Sequence, residues 1–318
     1  MFYIVLFMAL LSVSMLYIHL AKKYNIVDQP NHRSSHSKVT VRGGGIIFPI
    51  AVLLWWFMTD FQHPWMVFGL VAISTISLLD DMFSISRKLR FGIQILALTM
   101  SFYDLGVFDQ ESLWTLPFLY FVALGIINAI NFMDGINGIT GVYFLVFFGS
   151  IMAIHQFLPI FESELIRYIL LSILVFLVFN FRKNALMFAG DIGSISIAYL
   201  VIYFMGKWYM ANPDWTIILF LSVYGMDAFL TLGQRLLKGE NVALPHRSHL
   251  YQLFVNQLKK QHILISLIYG AAQFLINFVL FIRPQSNPSP LLAAVVLIGM
   301  AATYLMIKLP IQKRFKLI

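Results

Sequence analysis

The chain has 318 residues, of which 60 % are hydrophobic and only 11 % charged, with a mean hydropathy of +0.82. Soluble chains of this length carry about 25 % charged residues, so this composition excludes a soluble globular domain and leaves too little polar sequence for one beside a membrane domain. Cysteine is absent, which excludes disulfides, thiolate catalysis and cysteine-held metals. The net charge of +8 needs no nucleic acid to explain it, because loop lysines and arginines follow the positive-inside bias.

In chain order, eleven apolar segments approach the length that spans about 30 Å of hydrocarbon. They run over 2–21, 45–60, 65–80, 91–107, 114–131, 139–158, 165–181, 192–207, 214–231, 263–282 and 289–308. The first has no basic leader and no small-residue cleavage site, so it reads as a retained helix rather than a signal peptide. Of the 22 lysines and arginines, 19 fall in alternate loops: 22–44, 81–90, 132–138, 182–191, 232–262 and the C-terminal stretch from Lys308. That bias places those loops in the cytoplasm, the N-terminus outside and the C-terminus inside. Trp65, Trp114, Trp208 and Trp215 then lie near the outer ends, where aromatic belts belong. The expected fold is an all-α polytopic membrane protein of about eleven transmembrane helices, forming one domain over 1–318.

Five stretches carry chemistry, all on cytoplasmic edges. The first, DQPNHRSSHSKVTVRGGG (28–45), is basic and His-rich and ends in glycines before a helix. It suits an anion or the anionic inner leaflet, or it is only a topogenic loop. The second, LLDDMFSISRKLR (78–90), ends a helix with Asp80 and Asp81. Adjacent carboxylates repel unless a cation lies between them, and Mg²⁺ favours one or two carboxylates plus phosphate oxygens. Arg87, Lys88 and Arg90 follow, suited to phosphate; a solvated helix end is the bland alternative.

The third stretch, IINAINFMDGINGIT (126–140), organises the rest. Asn128, Asn131 and Asp134 recur at intervals of three, a spacing expected to keep them on one side of a helix end. Gly135 and Gly138 allow a sharp turn close to a ligand. Polar groups at a membrane helix end mark a working site by default, although Asn and Gly also make ordinary C-caps. The fourth, FAGDIGS (188–194), sets Asp191 after Gly190, either as an N-cap or as a further metal ligand. The fifth, PHRSHLYQ (245–252), offers His246, Arg247 and His249 as a cationic anchor for a diphosphate. Zinc fits poorly, because the other available ligands are hard carboxylates. His19, His63 and His155 have no carboxylate near in sequence and read as structural. Asp227, inside an apolar segment, either supports the site or pairs with Arg235.

The ordered set DD, NxxNxxDG, GDxGS and HRSH resembles the polyprenyl-phosphate N-acetylhexosamine-1-phosphate transferases, over about Asp28 to Gln252. These enzymes initiate O-antigen, enterobacterial common antigen and teichoic acid synthesis and are related to phospho-MurNAc-pentapeptide transferase. The resemblance implies transfer of a sugar 1-phosphate from a UDP-N-acetylhexosamine to undecaprenyl phosphate, with release of UMP, in the bacterial inner membrane. It implies Mg²⁺, with Mn²⁺ as an alternative, and leaves room for a homodimer. Asp80, Asp81, Asp134 and His246 are the implied catalytic residues, and Asp191 and Asp81 the implied metal ligands. Asn128, Asn131, Arg90, Arg247, His249 and Gly190 are the implied substrate contacts. Many members have a second Asp where this chain has Asn137, which is left out of the site. HRSH replaces the three histidines of the peptidoglycan branch, which argues against MurNAc-pentapeptide and toward a deoxy sugar such as FucNAc or QuiNAc. The rivals are a secondary transporter, whose polar groups would sit at the bilayer midplane, and a prenyl- or phosphatidyl-transferring membrane enzyme, whose Asp-rich motifs are spaced differently.

Overall fold

A computed structural model of the chain describes residues 1–29, 38–242 and 247–316. Each of the eleven apolar segments coincides with a helix. The long helices are α1 (Phe2–Lys23), α2 (Ile47–Met58), α3 (Pro64–Phe83), α4 (Arg87–Asp104), α6 (Leu116–Met133), α7 (Ile139–His155), α8 (Ser163–Asn180), α9 (Gly190–Ala211), α10 (Ser222–Leu237), α12 (His262–Asn277) and α13 (Pro290–Arg314). Two short ones, α5 (Val107–Gln110) and α11 (Leu250–Gln252), lie between them. Among the described residues, seven helical stretches are long and apolar enough to cross a membrane, and Gly44–Met58 and Ile139–His155 are apolar but shorter. This is an all-helical, polytopic membrane protein.

Local chemistry sets the helix ends. Pro64 opens α3, where its missing N–H costs nothing. Ser86 caps α4 by accepting from Leu89 N–H at 3.3 Å, and Ser289 does the same for α13 from Leu292 N–H. Gly138 takes φ +86° between α6 and α7, and its N–H donates to Asn180 Oδ1 at 2.6 Å.

The bundle is built around α9, which is buried along most of its length and packs against α3 and α6. Outward faces of α1, α6, α12 and α13 carry exposed Phe, Leu, Ile and Met, as lipid-facing surfaces do. One small non-helical feature positions the site. β1 (Val27–Asp28) pairs antiparallel with β2 (Thr40–Val41), Val27 facing Val41, and Val41 also bridges to Met187. Gly44 and Gly45 N–H donate to the Phe188 and Ala189 carbonyls at 2.8 and 3.0 Å. The first basic loop is thereby stitched to the start of α9, and its glycines serve packing: a Cβ on Gly45 would lie 2.1 Å from the Gly193 Cα.

Candidate active site

Where α3, α6 and α9 end beside β2, four carboxylates and two guanidinium groups meet. Asp81 accepts from the backbone N–H groups of Asp191 (2.9 Å) and Ile192 (3.1 Å). It caps α9 from another helix, where a negative charge suits the positive end of the dipole. Arg42 closes on the same carboxylate, Nε to Oδ1 at 2.6 Å. Gly190 makes this approach possible. It holds φ +72°, and a Cβ there would fall 2.4 Å from Asp81 Oδ2 and 2.7 Å from Gly43 N.

Asp80 points elsewhere. Its Oδ1 accepts from Ile85 N–H at 2.7 Å, which pins the turn into α4, and its Oδ2 pairs with Arg90. Asp191 stands between the two arginines: Arg42 Nη2 is 3.6 Å from one oxygen and Arg90 Nη1 is 3.6 Å from the other. Asn131 donates to Asp191 Oδ1 at 3.2 Å and to Ser194 Oγ at 2.9 Å. Asp134 follows the last turn of α6 and accepts from the Thr140 hydroxyl. Burial pushes the Asp134 carboxyl up to about 6; Asp191 and Asp81 add to the rise, against the Thr140 hydroxyl and Arg42. Burial works against the charged form of Arg42, yet Asp81, Asp191 and Asp28 more than offset it and raise its pKa.

The structure therefore brings together Asp80, Asp81, Asp134, Asp191, Asn131, Arg90 and Gly190. The Asp81 side chain has 0 % exposure, and both its oxygens are engaged, by Arg42 and by the N–H groups of Asp191 and Ile192. Adjacent helical residues diverge by about 100°, and Asp80 and Asp81 accordingly take different partners. Asn128 is not brought to the cluster. It is exposed and donates to the Leu124 carbonyl of its own helix at 2.7 Å. A step of three residues lags a full turn by about 60°, so six residues swing a side chain by about 120°. His246 lies outside the described residues. His249 is buried beside the third-motif turn, its ring 6.5 Å from that of Phe132.

Sequence reasoning missed Arg42, Thr140 and Ser194. Arg42 stood among five basic residues of its loop, with nothing local to single it out. Asn137, which stands where many members of the resembled family have Asp, is structural: its amide donates to the carbonyls of Arg182 (2.8 Å) and Lys183 (3.2 Å).

A polar cavity of about 680 Å³ adjoins the cluster, lined by Lys38, Lys183, Arg247, Lys259, Lys260 and His262 together with Asn137 and Phe188. Its lining includes Asn137, three residues after Asp134, and Phe188, three before Asp191. Its cationic walls suit a multiply charged anion. Among the described residues no three His, Asp or Glu side chains converge to cage a metal on their own. Mg²⁺ does not need such a cage, since one or two carboxylates with phosphate oxygens and water complete its shell. The hard oxygens of Asp191, 21 % exposed, and of nearby Asp134 fit that donor set.

A helical membrane protein with surplus carboxylates beside a cationic cavity has the makings of a phosphoryl-transfer site. A profile of glycosyl transferase family 4 matches residues 63–208. The chain is 30 % identical over 260 residues to the undecaprenyl-phosphate alpha-N-acetylglucosaminyl 1-phosphate transferase of Escherichia coli (strain K12), covering 74 % of this chain and 70 % of that one. It is 27 % identical over 283 residues to the enzyme of the same name from Yersinia pestis, covering 79 % and 75 %. Identity is also 27 %, over 270 residues and covering 78 % and 75 %, to a Bacillus subtilis (strain 168) protein named "Probable undecaprenyl-phosphate N-acetylglucosaminyl 1-phosphate transferase". The chain belongs to the polyprenyl-phosphate N-acetylhexosamine-1-phosphate transferase family, and it is an enzyme of sugar 1-phosphate transfer.

Proposed function

We propose that this enzyme transfers an N-acetylhexosamine 1-phosphate from its UDP-sugar to undecaprenyl phosphate and releases UMP, the step that initiates a cell-surface polysaccharide. The observation that carries this is the junction of three environments at one end of the bundle. The carboxylate–arginine cluster lies against the cationic cavity on one side. On the other, an apolar groove runs along α6. It comprises two cavities of about 220 and 340 Å³ that share Ile126 and Ile218 and reaches Ala129 and Ile130, one turn short of Asp134. The cavity suits a nucleotide diphosphate and the groove a polyprenyl chain, so that their phosphates meet at the cluster.

Both reactants are anions, so the catalyst must neutralise charge and align the nucleophile with the leaving group. A phosphate monoester has its second pKa near about 6, so the lipid phosphate is largely dianionic at neutral pH without a strong base. Arg42 and Arg90 are placed to meet phosphate oxygens by turning from Asp191, and Arg247 lines the cavity wall. Asp191, with Asp134 and Asn131 beside it, would hold Mg²⁺. When bound, the ion would supply charge neutralisation for the reacting phosphates. In this reading all eleven long helices, with their 3₁₀ and π extensions, cross the bacterial inner membrane as one domain, with the site on the cytoplasmic face. The cluster is formed within one chain, whether that chain stands alone or in a homodimer.

The test is UMP release by purified protein in detergent with Mg²⁺, undecaprenyl phosphate and a panel of UDP-N-acetylhexosamines that includes UDP-GlcNAc, UDP-FucNAc and UDP-QuiNAc. Lipid- and Mg²⁺-dependent UMP from one donor is the expected result, and it identifies the sugar. UMP formation without the lipid would show a hydrolase instead.

A further inference from the structure

A second carboxylate, Asp227 in α10, is only 1 % exposed and belongs to none of the five motifs. Six donors converge on it. Leu250 N–H donates to Oδ1 at 2.9 Å and Tyr251 N–H to Oδ2 at 3.3 Å. The hydroxyls of Tyr269, Tyr304 and Thr231 donate at 2.7, 2.8 and 3.2 Å. His249 Nδ1 lies 3.3 Å from Oδ1. Lys308 of α13, also buried, donates to Thr231 Oγ1 at 2.6 Å and to the Tyr304 hydroxyl at 2.8 Å. An ammonium on the last helix thus reaches the carboxylate through two hydroxyls. Arg235, the partner considered from sequence, engages Glu240 and the carbonyls of Asn241 and Val242 instead.

A buried charge this well solvated by the protein is costly to assemble and poor as a source of stability alone. What it holds is informative. Of the six donors, three come from His249, Leu250 and Tyr251, which follow Arg247. The Tyr251 hydroxyl in turn donates to the Phe132 carbonyl at 2.9 Å and sits where a Cβ on Gly135 would come within 2.2 Å of it. The segment is clamped at one end to Asp227 and at the other to the turn that carries Asp134.

We infer that Asp227 is a positioning residue. It fixes the 247–252 segment against the Asp134 turn, sets which ring nitrogen of His249 carries the proton, and is balanced by Lys308 from the C-terminal helix. Asp227 and Lys308 lie outside the residues matched by the family profile, 63–208. The catalytic consequence rests on the proposed transferase reaction, whereas the anchoring does not.

Two measurements on the full-length protein in detergent separate these parts. In hydrogen exchange followed by mass spectrometry, Asp227→Asn should speed exchange in the peptide covering Leu250–Gln252 at least tenfold and leave α7 and α8 unchanged. Unchanged exchange at 250–252 overturns the anchor. In a double-mutant cycle with UDP-GlcNAc, or whichever donor the panel identifies, Asp227→Asn and His249→Ala should each lower kcat/KM at least tenfold. The double variant should be no more than about threefold worse than His249→Ala alone, because the two act through one group. Losses that multiply would make Asp227 a general structural residue and overturn the positioning role. If Asp227→Asn does not fold, Tyr304→Phe removes one donor and enters the same two measurements, with threefold effects expected. A wild-type protein inert with every donor would sink the transferase reading, and the exchange result would still decide the anchor.

Discussion

At the end of the bundle away from Asp191, His63 lies between two carboxylates, with Nδ1 2.7 Å from Asp104 and Nε2 3.0 Å from Glu162. Lys207 pairs with the same Glu162, and Tyr203 donates to Asp104 at 3.2 Å. This set ties the start of α3, the end of α4, the entry to α8 and the last turns of α9 together, with each carboxylate held by side-chain partners of other helices. At the opposite end, among the described residues, four carboxylates gather around Arg42 and Arg90, two more carboxylates than guanidinium groups, beside a cavity large enough for a ligand. Charge that closes on itself stitches helices, whereas charge left open beside a cavity recruits a partner. The number of buried ionisable groups does not distinguish the two ends; their balance and access do.

The sharpest way to break this comparison is to neutralise one carboxylate at each end. Asp191→Asn should lower UMP release by about a hundredfold or more, the scale on which loss of one preorganised electrostatic contact acts. Glu162→Gln should leave turnover within about threefold, since nothing at that end touches the reactants. Equal losses in the two variants would mean that the far cluster controls the site through the fold.

Backbone approach comes next. Gly190→Ala puts a methyl group against Asp81 and Gly43 at a residue with positive φ, so α9 must shift relative to α3. Turnover should fall by roughly tenfold, about 1.4 kcal/mol of barrier, although no charge has changed. Full activity in this variant would show that the Asp81 cap on α9 is dispensable. A smaller effect is expected from Lys207→Met, which strips Glu162 of its cation. It should cost about 1–3 kcal/mol of stability, read as a lower melting temperature in detergent, with turnover unchanged.

Much of this was legible in the sequence. Eleven apolar runs became eleven helices because apolar length is written locally, and acidic residues at helix ends stood out because that placement is costly in a membrane. What escaped depended on partners far along the chain. His63 read as structural with no carboxylate nearby, yet its two partners lie 41 and 99 residues away. Arg42 gained its place only when Val41 bridged to Met187. That Asp80 and Asp81 turn to different partners was hidden, because adjacency in sequence does not show the divergence of adjacent helical side chains. Asp227 read either as a support for the site or as a partner for Arg235, because Lys308, Tyr304 and His249 come from elements 22 or more residues away.

At Asp134 function and stability should pull apart, with only a small change in stability. Its carboxyl titrates near 6 in the folded protein, against about 4 for an unperturbed Asp. The folded state therefore holds this proton more tightly than the unfolded state does. Its contribution to stability is fully present below about pH 4 and is lost as pH rises through 6. At pH 7.5, with EDTA present, Asp134→Asn removes a carboxylate that the fold ionises at a cost, and the neutral amide can still accept from Thr140. The melting temperature should rise by a few degrees at pH 7.5 and change little at pH 4.5, while UMP release with Mg²⁺ falls at least tenfold. In the wild type, turnover should decline as pH falls through 6 and the carboxylate takes up its proton. A variant that melts lower than wild type at pH 7.5 would show that the ionised Asp134 supports the turn between α6 and α7 and would remove it from the open, ligand-recruiting end of the comparison.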